Sequence, residues 1–265
     1  MACHPYGPPA MFFARPRRSA LQPRSARHAV PAACWIAGIL LGSAAGAALA
    51  QSSCSSDGTP VPPVLYERFL NADCEACWAG APRHAPSPSA LVLDWITPGS
   101  RGDEAPLSAA AIPEALERLR QLGRPAPQGS DTHVAELAPN AAGSRARGLR
   151  VAHGLPLNDY IGVSLSLRKN PSLPAGPYRY TLVLAETLPS GTERSPVERS
   201  VVRGMLQGTW EAPANRSASA QPLQELRSMR LPEGAQAERL FVAAWVEDAS
   251  GRIALAARSQ CGSLP

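Results

Sequence analysis

Apolar and polar residues alternate along the second half of the chain. Tyr178, Tyr180, Leu182 and Leu184 occupy every second position, a period that indicates strands with one buried face. Segments with this pattern predict six strands: Tyr160–Arg168, Tyr178–Glu186, Val197–Trp210, Leu223–Leu231, Arg239–Glu247 and Arg252–Ala257. Pro- and Gly-rich turns separate them. We therefore predict an antiparallel, immunoglobulin-like β-sandwich over residues 149–265.

The first half has a different pattern. Pro63–Leu70 and the apolar run Ala90–Ile96 predict strands, and apolar residues spaced three and four apart predict a helix over Ser108–Leu122. A short strand is expected at His133–Leu137 within an otherwise loop-like stretch, residues 124–148. Prolines exclude a long helix from Ala79–Ser89. We assign residues 51–62 to a polar lead-in and residues 63–148 to an α/β domain.

Residues 1–50 have the features of an export signal. Five arginines precede an uncharged apolar run over residues 29–50, which ends in Ala48-Leu49-Ala50. This order is typical of a cleaved secretory signal peptide, and we expect the mature chain to begin at Gln51. An uncleaved anchor is the alternative, and the true start is Met1 or Met11. Because Lys169 is the single lysine, we infer a GC-rich bacterial source and a periplasmic or secreted location.

The basic charge belongs to this leader. Of the 26 basic and 21 acidic residues, five basic and no acidic ones lie in residues 1–50, so the other 215 residues carry 21 of each sign. A neutral body argues against nucleic acid as a partner. We expect contact with a membrane only through an uncleaved leader.

Four cysteines remain after the leader: Cys54, Cys74, Cys77 and Cys261. An even number in an oxidising compartment predicts two disulfides, for which three pairings are possible. The simplest joins Cys74 to Cys77 locally and Cys54 to Cys261 across the body of the chain.

Cys74 and Cys77 form a C-x-x-C motif directly after a predicted strand. A helix N-terminus beside the first sulfur stabilises its thiolate, and the second cysteine then resolves the mixed disulfide. Asp73 and Glu75 work against this, because acids beside a thiolate raise its pKa. The sequence thus leaves two interpretations open, a redox-active pair and a structural disulfide.

The segment Leu65–Trp78 (LYERFLNADCEACW) resembles the E-x-F-T-S-x-G-C-x-x-C start of a group of secreted proteobacterial proteins of unknown function. Ser200–Gly204 and Phe241–Asp248 are similar to the β-rich end of that group. The resemblance implies an α+β fold, with a thioredoxin-like α/β domain followed by the sandwich. By analogy it implies thiol–disulfide exchange through Cys74 and Cys77 with periplasmic thiol or disulfide proteins. The alternative is a non-enzymatic periplasmic binding or structural module.

Other candidates are weaker. Cys74, Cys77 and His84 could hold a soft metal, but a zinc site needs a second ligand pair, so we predict no metal and no cofactor. His133 and His153 stand alone in the sequence, and Asp94 is interpreted as a solvated strand-end acid. Three tryptophans are assigned to the core: Trp95, Trp210 and Trp245.

Overall fold

The strands of the described residues build two sheets. The computed structural model describes residues 54–80, 85, 87–137, 148–168, 177–211 and 222–261. Its strands are β1 (Cys54–Ser55), β2 (Val64–Asn71), β3 (Leu91–Thr97), β4 (Ser130–Glu136), β5 (Leu149–His153), β6 (Tyr160–Leu167), β7 (Tyr178–Leu188), β8 (Arg199–Trp210), β9 (Leu223–Arg230), β10 (Leu240–Glu247), β11 (Ile253–Arg258) and β12 (Gln260–Cys261). Its α-helices are α1 (Glu75–Ala79) and α2 (Pro113–Gln121).

The first sheet has five strands in the order β12-β1-β5-β6-β9, and all its neighbours are antiparallel. The second has seven strands in the order β11-β10-β7-β8-β3-β2-β4. It is mixed, because β3 runs parallel to both β2 and β8 while the other pairs are antiparallel. Both sheets therefore combine strands that lie far apart in the chain.

The prediction of an α+β fold with a thioredoxin-like α/β domain is wrong. Strands β2, β3 and β4, which we had assigned to that domain, join the same sheet as β7, β8, β10 and β11. The link is the parallel contact between β3 and β8, at Asp94 and Val201. The described part of the chain is mostly β, with helices of only five and nine residues. Each of the two sheets therefore contains strands from both sides of residue 148, the predicted domain boundary.

The β-rich, sandwich-like architecture is confirmed. Inward-facing residues of the five-stranded sheet, such as Val151 and Leu165, belong to one buried cluster with Leu184 and Val242 of the seven-stranded sheet. The cluster also contains Trp95, Trp210 and Trp245, as expected. At about 25 cal/mol per Å², burial of this apolar surface is the main force that holds the sheets together.

The two helices are short for identifiable reasons. Pro113 begins α2 at a position where its missing N–H costs nothing, and Gly123 follows the helix with φ of 64°. Helix α1 ends at Gly80, just before the Pro-rich stretch. No helix in the described part of the chain is long and apolar enough to cross a membrane.

Candidate functional site

The C-x-x-C motif lies at the carboxyl end of β2. Asn71, the last residue of that strand, accepts a hydrogen bond from the Asp73 N–H at 2.8 Å through its side chain and one from the Cys74 N–H at 2.9 Å through its carbonyl. Its side-chain amide donates to the Pro127 carbonyl at 3.0 Å. This turn fixes Cys74 as the residue that caps α1.

The two sulfurs are bonded to each other, with the Cα atoms 5.3 Å apart. Both cysteines are half-buried. The Sγ of Cys74 accepts a hydrogen bond from the Cys77 backbone N–H at 3.2 Å. Cys77 packs against a small buried cluster that includes Leu70 and Trp78, and its sulfur lies 3.4 Å from where a side chain at Gly129 would begin. Cys77 therefore contacts the protein interior on one side.

Both acids beside the motif have partners on other loops. Asp73 accepts hydrogen bonds from the N–H of Ser100 at 2.7 Å, from its hydroxyl at 2.8 Å, and from the N–H of Arg101 at 3.3 Å. Desolvation would raise the pKa of Asp73, but these hydrogen bonds hold it below its ordinary value. Glu75 forms an exposed ion pair with Arg194 at 2.5 Å. Asp73 therefore stays ionised beside the motif, whereas the charge of Glu75 is countered by Arg194.

A buried ionic group holds the far end of α1. Arg199 donates to the carbonyls of Trp78 at 2.7 Å and Gly80 at 3.2 Å, and its guanidinium lies 4.9 Å from the centre of the Trp78 ring. Asp94 pairs with Arg199 at 3.4 Å and with Arg68 at 2.5 Å. The helix that carries the motif is therefore attached to the sheet through charges that water does not reach.

Replacing Asp94 with asparagine should lower the free energy of unfolding by about 3 kcal/mol. Asp94 is fully buried, and its loss of charge leaves Arg199 and Arg68 without their counter-ion. Chemical denaturation monitored by tryptophan fluorescence measures the change. The matched control is Asp57→Asn, because Asp57 pairs with Arg150 on the surface and should matter by less than about 1 kcal/mol. Equal effects of the two substitutions on the free energy of unfolding would contradict the role of Asp94 as a buried counter-ion.

The second disulfide joins Cys54 to Cys261, which are 207 positions apart in sequence and 3.9 Å apart between Cα atoms. They are register partners on β1 and β12. Cys54 is also the register partner of His153 on β5. Burial lowers the pKa of His153, although a hydrogen bond to the Gly154 carbonyl opposes the shift. Both disulfides follow the simplest of the three pairings.

The structure gives several residues a burial or a set of contacts that the sequence did not predict. Asp94 is not a solvated acid but a buried one. His133 contacts Glu67 at 3.0 Å, and His153 lies near the Cys54–Cys261 bond. These contacts could not be predicted from the sequence, because the contacting residues lie dozens of positions apart in the chain. His84, the third member of the alternative metal site, lies outside the described residues.

Comparison with known proteins adds little. No protein-family model and no curated protein matches the chain. Among solved structures, HBP35 of Porphyromonas gingivalis is similar over 76% of each chain, with 13% sequence identity and a TM-score of 0.45. A likeness this distant bears on neither fold nor function.

Proposed function

We propose that the protein is an exported thiol–disulfide exchange protein in which Cys74 is the reactive sulfur and Cys77 resolves the intermediate. The observation that carries this proposal is the environment of Cys74. Its sulfur is half-exposed at the start of α1 and accepts the Cys77 N–H. A hydrogen bond to sulfur favours the thiolate, which is the attacking form.

The exchange moves two electrons between the pair and a partner protein. In the reduced protein, the Cys74 thiolate attacks a partner disulfide, so that a mixed disulfide forms and one partner thiolate leaves. The Cys77 thiolate then attacks the Cys74 sulfur, which re-forms the Cys74–Cys77 bond and releases the second partner thiol. The protein is oxidised and the partner reduced, and the reverse sequence oxidises a partner dithiol.

Three features support this role. Cys77 packs against the buried cluster that contains Leu70 and Trp78, as suits a resolving cysteine. Glu75, the acid inside the motif, is paired with Arg194. The leader pattern and two disulfides fit a periplasmic or secreted location, where partners with disulfides occur.

The alternative is a binding or structural module whose Cys74–Cys77 bond is structural. The observation in its favour is the attachment of α1 on two sides: Trp78 donates to the Glu193 carbonyl in the loop between β7 and β8, and Arg199 at the start of β8 donates to the Trp78 carbonyl. The two roles differ in redox potential. A value between about −270 and −120 mV supports exchange, and one below about −300 mV supports a structural bond.

Glutathione disulfide provides a defined test of which sulfur reacts. The reduced Cys77→Ala variant should form a mixed disulfide at Cys74 about tenfold faster than reduced Cys74→Ala forms one at Cys77, because Cys74 is the sulfur that receives the N–H. Intact-protein mass spectrometry against time gives both rates. Both variants should also carry serine in place of Cys3, Cys34, Cys54 and Cys261, so that no other thiol competes. If the two rates are equal, or no faster than that of free cysteine, the exchange role is wrong and the Cys74–Cys77 bond is structural.

Replacing Glu75 with glutamine should speed alkylation of reduced Cys74 by about twofold, because it removes a negative charge next to the thiolate and leaves Arg194 nearby. The matched variant Arg194→Gln should slow alkylation, since it leaves Glu75 unpaired. Iodoacetamide reaction at several pH values measures the thiolate fraction. If both variants react at the parent rate, the acid does not influence the sulfur.

A further inference from the structure

Three potential metal ligands occupy one row across the five-stranded sheet. Cys54 on β1 pairs in register with Cys261 on β12 on one side and with His153 on β5 on the other. Register partners project from the same face of a sheet. His153 is in turn the register partner of Val163, a member of the buried cluster, so this row is on the face turned toward the core.

The distances suit a single ion. The sulfurs of Cys54 and Cys261 and a ring nitrogen of His153 all lie within 4.8 Å of one another. A tetrahedral zinc site has bonds of about 2.3 Å to sulfur and about 2 Å to nitrogen, which places its ligand atoms about 3.5 to 3.8 Å apart. Reduction opens the bond between the sulfurs, and the two sulfurs must then move apart to reach that spacing. In the described part of the chain, no other group of three such side chains meets this distance.

One ring nitrogen of His153 is held by the backbone. Its Nδ1 lies 3.0 Å from the Gly154 carbonyl oxygen, and a carbonyl can only accept, so Nδ1 carries the hydrogen. Nε2 is then the nitrogen with the lone pair. A ring held by one N–H to a carbonyl while the other nitrogen binds the ion is the arrangement that fixes metal-binding histidines.

The three side chains differ in their exposure to solvent. Cys54 and His153 are 5% and 3% exposed, whereas Cys261 is exposed. The buried pair shields the ion on one side. The exposed cysteine gives access from solvent, and a fourth position stays available for water, as in zinc sites with three protein ligands.

We propose that Cys54, Cys261 and His153 bind one ion of the Zn²⁺ class when the bond between the two cysteines is reduced. An external dithiol supplies two electrons and two protons, becomes a disulfide, and leaves two thiols on the protein. Zinc then displaces both thiol protons and binds two thiolates and the neutral imidazole. The disulfide and the metal use the same sulfurs, so each form excludes the other. This site is independent of the function proposed for Cys74 and Cys77.

The test uses the full chain with serine in place of Cys3, Cys34, Cys74 and Cys77, which removes competing thiolates. After reduction with a phosphine and removal of the reductant without oxygen, Co²⁺ is titrated as the probe. We expect one equivalent to give a thiolate-to-cobalt charge-transfer absorption, and Zn²⁺ to displace it. The oxidised protein should give none. In the same background, His153→Gln should weaken binding by about tenfold or more, whereas His133→Gln, the matched histidine control, should not.

Two results would overturn the proposal: no charge-transfer band in the reduced protein, or equal affinity in the His153→Gln variant. If reduction unfolds the chain, binding must appear as recovery of the folded circular dichroism spectrum on addition of Zn²⁺. Failure of Zn²⁺ to restore the spectrum then counts against the site. Loss of the band would leave the glutathione test of Cys74 unaffected.

Discussion

Replacement of Glu67 by glutamine is expected to lower the free energy of unfolding by about 4 kcal/mol. Glu67 is fully buried on β2, where it accepts two hydrogen bonds from Arg118, at 2.9 and 2.8 Å, and one from Trp95 at 3.1 Å. Glutamine keeps the volume but removes the charge. Arg118, which is 2% exposed, then keeps a 3.4 Å contact with Glu247 and its contact with the Trp245 ring at 4.9 Å. The loss of its nearer counter-ion in a buried position accounts for the large effect.

Denaturant unfolding followed by tryptophan fluorescence measures this change. The control is Glu117→Gln on the same helix, because Glu117 pairs with Arg120 at the surface and should contribute less than about 1 kcal/mol. Breaking a buried ion pair usually lowers the free energy of unfolding by about 3 to 5 kcal/mol. If the free energy of unfolding of Glu67→Gln lies within about 1 kcal/mol of the parent value, the pair is not needed to hold α2.

The same pair has a defined pH dependence. Burial would raise the pKa of Glu67, but the Arg118 charge and the hydrogen bonds from His133 and Arg118 hold it below its ordinary value of 4.5. The contribution of Glu67 to stability is therefore complete above pH 4.5. It is lost as the pH falls through the lower pKa that Glu67 has in the folded protein. The stability difference between parent and Glu67→Gln should shrink over that acidic range.

Loss of the Cys54–Cys261 disulfide, in the variant with both residues changed to alanine, should cost about 4 to 5 kcal/mol of stability. The bond closes a loop of 207 positions, so its removal greatly increases the freedom of the unfolded chain. In the folded protein it joins β1 and β12, which pair over only two residues each. Thermal and denaturant unfolding without reductant measure the loss.

The matched control is the double alanine variant of Cys74 and Cys77. That bond spans three positions, and closing so short a loop stabilises by about 2 kcal/mol. A smaller loss from the short loop than from the long one identifies chain entropy as the cause. If both double variants lose the same stability, local strain or packing at the cysteines determines the effect instead.

Local sequence patterns predicted most elements but not their assembly. The alternation at Tyr178–Leu184 correctly predicted β7, and the apolar run Ala90–Ile96 correctly predicted β3. Periodicity reports which face of an element is buried, but it does not report which strand lies beside it. The assignment of β2 and β3 to a separate domain failed for this reason, because the decisive neighbour of β3 is β8.

The buried charges were hidden for a related reason. Glu67 and Arg118 are 51 positions apart, and Arg118 and Glu247 are 129 apart. Charged residues are normally exposed, so a single sequence indicates no burial until the fold brings the opposite charges together. The C-x-x-C motif was visible because its two cysteines are neighbours, whereas the approach of His153 to Cys54 depends on the register of β1 and β5.

The pairing of the first strand with the last has a consequence for how the protein is made. A ribosome delivers β1 first, yet β1 lies between β5 and β12, and β3 needs β8. Contacts this distant in sequence form slowly. We therefore expect a nascent chain to stay largely unstructured until its C-terminal strands emerge from the ribosome. Synthesis of the C-terminal strands would then be the step that commits the protein to its fold.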